Sequence, residues 1–118
     1  MSINSGKPIT EAATGVSVVL PILNEERFLV DSVSAILAQK YLGPLEVILA
    51  LGPSTDNTNE IARTLASKDP RIVLVENPTG RTATGLNRAI SHAKYSIICR
   101  IDGPVSYTHL TLPTILRV

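Results

Sequence analysis

Four short polar clusters in this 118-residue chain carry residue types able to do chemistry: Pro21 to Glu26, Leu51 to Asp56, Asn77 to Arg81, and Asp102-Gly103. Asp102 closes the apolar run "SIICRI". A carboxylate leaving a buried strand is well placed to hold a hard divalent cation, which prefers oxygen ligands. With one carboxylate in reach, diphosphate oxygens and water would have to complete the shell. The competing reading is a polar turn, the usual role of Asp-Gly at a strand end. "GPSTDNT", residues 52–58, offers backbone N–H groups at a helix start, where an anion is well received; it reads equally as an ordinary βα loop with a helix cap. It has neither the P-loop nor the GxGxxG spacing. Arg81 precedes a helix N-terminus, where a cation opposes the helix dipole, so an anionic ligand would explain it; so would plain solvation. Asn87 lies inside the same helical stretch, where a short amide is mildly unfavourable, and reads either as a retained contact or as a surface residue.

These clusters need elements to position them. "GVSVVLPIL" is a β-branched run closed by Pro21, long enough for a strand buried on both faces. Asn24 followed by Glu25 and Glu26 resembles a helix start, and Leu29, Val33, Ile36 and Leu37 share one face, predicting a helix from there to about Lys40. "LEVILAL", residues 45–51, is a second buried strand. Asn57 and Glu60 have capping-box spacing for a second helix that carries Ile61 and Leu65 inward. A third strand is expected over about 71–76. A third helix within "GRTATGLNRAISHA" would hold Ala83, Leu86, Ile90 and Ala93 on one side, with His92 at the surface, and "YSIICRI" is the fourth strand.

The order β-α-β-α-β-α-β implies parallel strands joined by right-handed crossovers. In open parallel sheets, ligands bind beyond the carboxyl ends of the strands, near the point where strand order reverses. All four clusters fall on that one rim, and their convergence weighs more than any of them alone.

Composition narrows the class. Hydrophobic residues make up 44% and charged residues 18%, a globular balance. A formal net charge of +1 supplies no electrostatic argument for nucleic acid or an anionic membrane. The single cysteine, Cys99, excludes an internal disulfide and a multi-cysteine zinc site, and its apolar surroundings read as a buried, inert thiol. Residues 1–14 are polar, lack the apolar core of a signal peptide, and read as a flexible leader. No apolar run approaches the ~20 residues that span a bilayer. A cytoplasmic location is expected, with membrane association only through regions beyond this sequence.

The stretches "VSVVLPILNEERFL", "EVILALGPSTDNTNEIA", "NPTGRTATGLNRAI" and "RIDG" together resemble the nucleotide-binding half of the family-2 glycosyltransferases, in that family's order and spacing, from Val16 to Gly103. The nearest likeness is to bacterial members that assemble cell-surface polysaccharides or exopolysaccharides. The resemblance implies an α/β fold of GT-A type: an open, Rossmann-like, mostly parallel sheet with helices on both faces, truncated here, with residues 15–103 as a partial nucleotide-sugar-binding domain. It implies inverting transfer of a sugar from a nucleotide-diphosphate donor to a glycan or lipid-linked acceptor, assisted by Mg²⁺ or Mn²⁺. Pro21, Leu23 and Glu25 would line the nucleoside pocket, with Leu23 in place of the family's usual Tyr. Arg81 and Asn87 would contact the nucleotide sugar or support its loop. Asp102 would be the last carboxylate of a DxD-type motif and hold the metal that neutralises charge on the departing diphosphate.

Three departures from the family pattern stand out. Leu51 occupies the position of the Asp that reads the base, and an alkyl side chain accepts no N–H. The DxD slot reads Arg100-Ile101-Asp102, and Arg100 could pair with a phosphate or with Asp102. After Gly103 nothing resembles an acceptor-binding half, where the catalytic base is expected; "VSYTHLTLPTILRV", within residues 104–118, resembles translated sequencing-adapter read-through, so Tyr107 and His109 are not read as site residues. A non-catalytic nucleotide- or anion-binding α/β module is the alternative function, and a nucleotidyltransferase fits less well because its glycine- and lysine-rich phosphate loop is missing.

Overall fold

The computed structural model describes residues 15–38 and 43–101, and the backbone of 115–117. Its elements run β1 (Val16–Ile22), α1 (Leu29–Leu37), β2 (Leu45–Leu51), α2 (Thr58–Lys68), β3 (Ile72–Glu76), α3 (Thr82–Ser91), β4 (Ile97–Arg100) and β5 (Ile115–Arg117). The sheet order is β3-β2-β1-β4-β5. The first four strands in that order pair in parallel, and β5 runs antiparallel to β4, with Ile97 opposite Arg117.

The α/β architecture follows from the side-chain alternation of two doubly buried strands. Val16, Val18, Leu20 and Ile22 of β1 and Leu45, Val47, Leu49 and Leu51 of β2 point to one face, where they meet Leu29, Val33 and Ile36 of α1 and Ala62 of α2. Val19, Ile48 and Ala50 point to the other, against Leu86 and Ala89 of α3. Helices on both faces remove water from both sides of the sheet, so β1 and β2 read as nearly continuous apolar runs. Cys99 is 1% exposed in the first of these clusters, and burial pushes its thiol pKa up, as an inert core thiol requires.

Strand order reverses between β1 and β4: the chain runs outward from β1 through β2 to β3, then returns to place β4 on the other side of β1. Pairing of β1 with β4 stops at Val19 opposite Arg100, so Pro21 lies beyond it and its missing N–H breaks no bond on that side. β1 therefore does not close at Pro21 but continues to Ile22, which pairs with Leu51.

Local boundaries differ from expectation in two places. α1 begins at Leu29, with Phe28 at its N-cap position, not at Asn24. Asn24 has φ 51, in the left-handed region that Asn tolerates better than most residues, and a turn intervenes in which the Leu29 N–H donates to the Glu25 carbonyl. Lys40, the expected end of that helix, lies outside the described residues. The Asn57–Glu60 capping box does not form either: Asn57 is the N-cap residue of α2 without a side-chain cap bond, while Asp56 accepts from the Thr58 N–H at 3.0 Å and from the Thr58 hydroxyl. In α3, Leu86 is buried as expected and Ile90 and Ala93 pack at the margin, but Ala83 is exposed; the inward stripe is Gly85, Leu86 and Ala89.

Candidate functional site at the carboxyl ends of the strands

The first three polar clusters meet at the carboxyl ends of β1, β2 and β3. The sheet delivers them there by continuing its ladder into the loops: the Gly52 N–H donates to the Ile22 carbonyl at 2.8 Å and the Asn77 N–H to the Leu51 carbonyl at 2.9 Å. A cleft of about 210 Å³ opens on this rim, lined by Pro21, Ile22, Leu23, Glu25, Asn77, Gly80 and Thr82. Ligand pockets usually enclose about 300–1,000 Å³. As the described residues bound it, this cleft is smaller than a usual ligand pocket.

Two glycines let the walls approach. Gly80 has φ 69, a left-handed turn that L side chains rarely adopt, and a Cβ there would come within 3.1 Å of Pro53 Cδ. Gly85 sits on the inner side of α3, where a Cβ would be 2.7 Å from Asn77 Nδ2 and 3.3 Å from Pro21 Cβ. The first turn of α3 can thus lie directly on the end of β1. Asn77, 2% exposed, fixes the far wall: its Nδ2 donates to the Arg81 carbonyl at 3.1 Å, and its Oδ1 accepts from the Thr79 hydroxyl at 3.0 Å.

Among the described residues, Glu25 is the only ionisable one lining the cleft. Burial pushes its carboxyl pKa up from the usual carboxylate range, opposed by a hydrogen bond from the Leu23 backbone. Such a group presents either carboxylate acceptors to N–H donors or, once protonated, an O–H donor. Beside it, Leu23 is 41% exposed and offers an apolar surface.

The β1–α1 and β2–α2 loops are tied to each other by a set of reciprocal hydrogen bonds. The Asn24 N–H donates to the Ser54 hydroxyl at 2.9 Å, and Asn24 Oδ1 accepts from the Thr55 N–H at 2.7 Å. The Glu25 N–H donates to Thr58 Oγ1 at 2.8 Å. The Glu26 N–H reaches Asp56 Oδ2 at 3.4 Å, and Glu26 Oε1 accepts from the Asn57 N–H at 3.0 Å. The Thr58 hydroxyl bond holds the Asp56 carboxyl below the usual carboxylate range.

Of the residues singled out in the sequence, Pro21, Leu23 and Glu25 come together in the cleft. Leu51 does not face it: the side chain is 2% exposed and packs in the core beneath α1 and α2. Arg81 is exposed at the N-cap position of α3, Asn87 is exposed on that helix, and Arg100 is exposed at the end of β4; none of the three lines the cleft. Asp102, the expected metal ligand, lies outside the described residues. Among the described residues, no group of three or more His, Cys, Asp or Glu side chains could hold a metal ion. Asn77 and Gly80 fall within the Asn77 to Arg81 cluster without a role of their own in the sequence reading, and Thr82 lies just past it. The available signal was the turn-forming Asn-Pro-Thr-Gly directly after "IVLVE"; the burial of Asn77 was not legible from it.

The chain matches the family model described as glycosyl transferase family 2 over residues 17–117. It is 43% identical over 90 residues to EpsE of Bacillus subtilis (strain 168), a protein named as a glycosyltransferase, covering 75% of this chain and 32% of that one. It is 35% identical over 99 residues to the succinoglycan biosynthesis protein ExoA of Rhizobium meliloti (strain 1021), covering 80% and 29%. Among solved structures, a mannosyltransferase from Pyrobaculum calidifontis in complex with GDP-Man and Mn²⁺ superimposes with a TM-score of 0.65 at 34% identity, over 74% of this chain and 26% of that chain. The chain thus spans about a third or less of the length of these relatives.

Proposed function

The chain belongs to glycosyl transferase family 2, and from that premise we propose that it forms the donor-binding part of an enzyme that transfers a sugar from a nucleotide-diphosphate sugar to a glycan or lipid-linked acceptor in cell-surface or exopolysaccharide assembly. The observation that carries this reading is the cleft at the carboxyl ends of the parallel strands, with Leu23 as an apolar wall and Glu25 as the one ionisable group among its described residues. In this reading the base lies against Pro21 and Leu23, and Glu25 takes the base or ribose donors that Leu51, turned into the core, cannot. The diphosphate then extends toward Arg81, Asn87 and Arg100.

A divalent cation, Mg²⁺ or Mn²⁺, belongs with Asp102 in this proposal, supported by the Mn²⁺ bound with GDP-Man in the mannosyltransferase from Pyrobaculum calidifontis. When bound, it would neutralise charge on the leaving diphosphate. Transfer is proposed to invert the anomeric centre, with the acceptor's base supplied from outside this sequence. The proposed location is the cytoplasm or the cytoplasmic face of the membrane; no helix among the described residues is long and apolar enough to cross a bilayer.

Calorimetric titration of the chain with UDP and with GDP, each with and without Mn²⁺, tests the reading. Saturable binding of one of them is expected, weakened in Glu25→Ala and made metal-independent in Asp102→Ala. Absence of binding by either diphosphate, or binding indifferent to Glu25→Ala, would overturn the donor-site assignment.

A further inference from the structure

Glu25 is held in the cleft by a neighbour that never reaches it. Thr58, 0% exposed at the first turn of α2, uses its hydroxyl twice. It donates to Asp56 Oδ1 and accepts the Glu25 N–H at 2.8 Å. The donor direction is fixed, because Asp56 is ionised and can only accept. A lone pair of Oγ1 is therefore permanently turned toward the Glu25 backbone. One residue earlier, Asn24 takes a left-handed φ of 51 and closes two further bonds with Ser54 and Thr55. The Glu25 carbonyl is tied forward, to the Phe28 and Leu29 N–H groups, while the N–H groups of 24–26 are held from the β2–α2 loop.

We propose that Thr58 is a positioning residue for the donor pocket: its hydroxyl, oriented by Asp56, fixes the Glu25 backbone and thereby aims the Glu25 carboxyl into the cleft, with Asn24 as the second tie. The functional meaning rests on the donor-site reading given above, whereas the geometric part stands without it. A helix-start threonine with no access to ligand then controls affinity through a backbone amide 33 residues away in sequence.

The test uses Thr58→Val, which keeps shape and removes the hydroxyl, Thr58→Ser, which restores it, and Asn24→Gly, which keeps the left-handed φ and removes the side-chain ties. Two readouts are taken: Glu25 carboxyl titration and amide exchange by NMR, and calorimetric affinity for UDP and GDP with Mn²⁺. In Thr58→Val the Glu25 carboxyl should move back toward the usual carboxylate range, its amide should exchange faster, and affinity should fall about tenfold, the equivalent of one net hydrogen bond. Thr58→Ser should behave as the parent in all three, and Asn24→Gly should show a smaller loss of the same kind. Asp69, which bonds to Arg71 and not to this clasp, serves as the internal reference in the titration, while Asp56, losing the Thr58 hydroxyl bond, should rise toward the usual carboxylate range in Thr58→Val. Glu25 titration and amide protection unchanged in Thr58→Val would overturn the inference, whatever the affinity does. If neither diphosphate binds the parent protein, the donor reading fails, and the NMR readout still decides whether Thr58 positions Glu25.

Discussion

The two ends of the sheet each hold a glutamate out of bulk water and treat it in opposite ways. At the amino ends of the strands, Glu46 is 3% exposed and fully engaged: it accepts the Ser17 hydroxyl at 2.5 Å and the Lys94 N–H at 2.8 Å, while the Tyr95 N–H donates to Ser17 at 3.3 Å. At the carboxyl ends, Glu25 stands half-buried in a cleft, and its backbone is better tied than its carboxyl. A buried carboxylate whose partners are all supplied by the protein is a structural device, here locking the α3–β4 connection onto β1 and β2. A half-buried carboxylate lining a cavity, with the Leu23 backbone as its hydrogen-bond donor, has room for a partner from outside. Burial alone does not distinguish the two; the hydrogen-bond inventory does.

The largest expected effect breaks the structural end. Glu46→Ala strands the Ser17 hydroxyl and the Lys94 N–H in the interior, and the cost should be about 3 kcal/mol, since each buried group left unpaired costs about 1–3 kcal/mol. Denaturant melts should show the loss, and a change within error would mean that water satisfies these groups. Next, Gly85→Ala places a methyl 2.7 Å from Asn77 Nδ2, and overpacking of this kind costs about 1–3 kcal/mol. Because the displaced atoms line the cleft, this variant should lose both stability and diphosphate affinity, joining the two ends in one measurement.

Glu25→Gln sharpens the contrast. It should cut diphosphate affinity about tenfold, the weight of one charge-assisted hydrogen bond, with little change in the unfolding midpoint at neutral pH. The sign of its pH dependence is informative. A carboxyl held above its ordinary value keeps its proton in the folded state after the unfolded chain has lost it, so the parent loses stability as pH rises from the ordinary carboxylate value through the raised one. Glu25→Gln should lack that decline in thermal melts across the acidic range. The smallest effect belongs to Asp69→Asn, which removes an ion pair to Arg71 at 2.7 Å that is open to solvent. Arg71 holds the Asp69 carboxyl below the usual range, so any stabilisation is present above the ordinary value and fades as pH falls through the lowered one. Exposed pairs contribute little, and the melting curves at pH 7 should superimpose.

Residues 104–118 bear on where the family sequence runs. Sequencing the gene across the Gly103 codon should show family-like sequence continuing in place of "VSYTHLTLPTILRV", in keeping with the proposal that this tail is adapter-derived; recovery of the same tail from independent clones would refute it.

Parallel strand–helix alternation, the strands 45–51 and 72–76, and the rim where ligands belong were legible because each depends on local periodicity and on a handedness rule that needs no coordinates. The segment Pro21 to Glu26 was legible as a rim cluster for the same reason, since it lies at the end of a strand that could only be buried; the choice of Pro21, Leu23 and Glu25 within it came from the family resemblance. What the sequence could not decide was which polar residue serves which partner. Asn24 looked like the cap of its own helix and instead binds Ser54 and Thr55; Asn57 looked like half of a capping box, while Asp56 makes the bonds; Leu51 lay on the rim by position and turns into the core by alternation. Thr58, Glu46 and Asn77 carried no signal as single letters. Side-chain hydrogen bonds between loops 30 residues apart are set only when the sheet brings those loops within 3 Å, so tertiary structure alone could assign them.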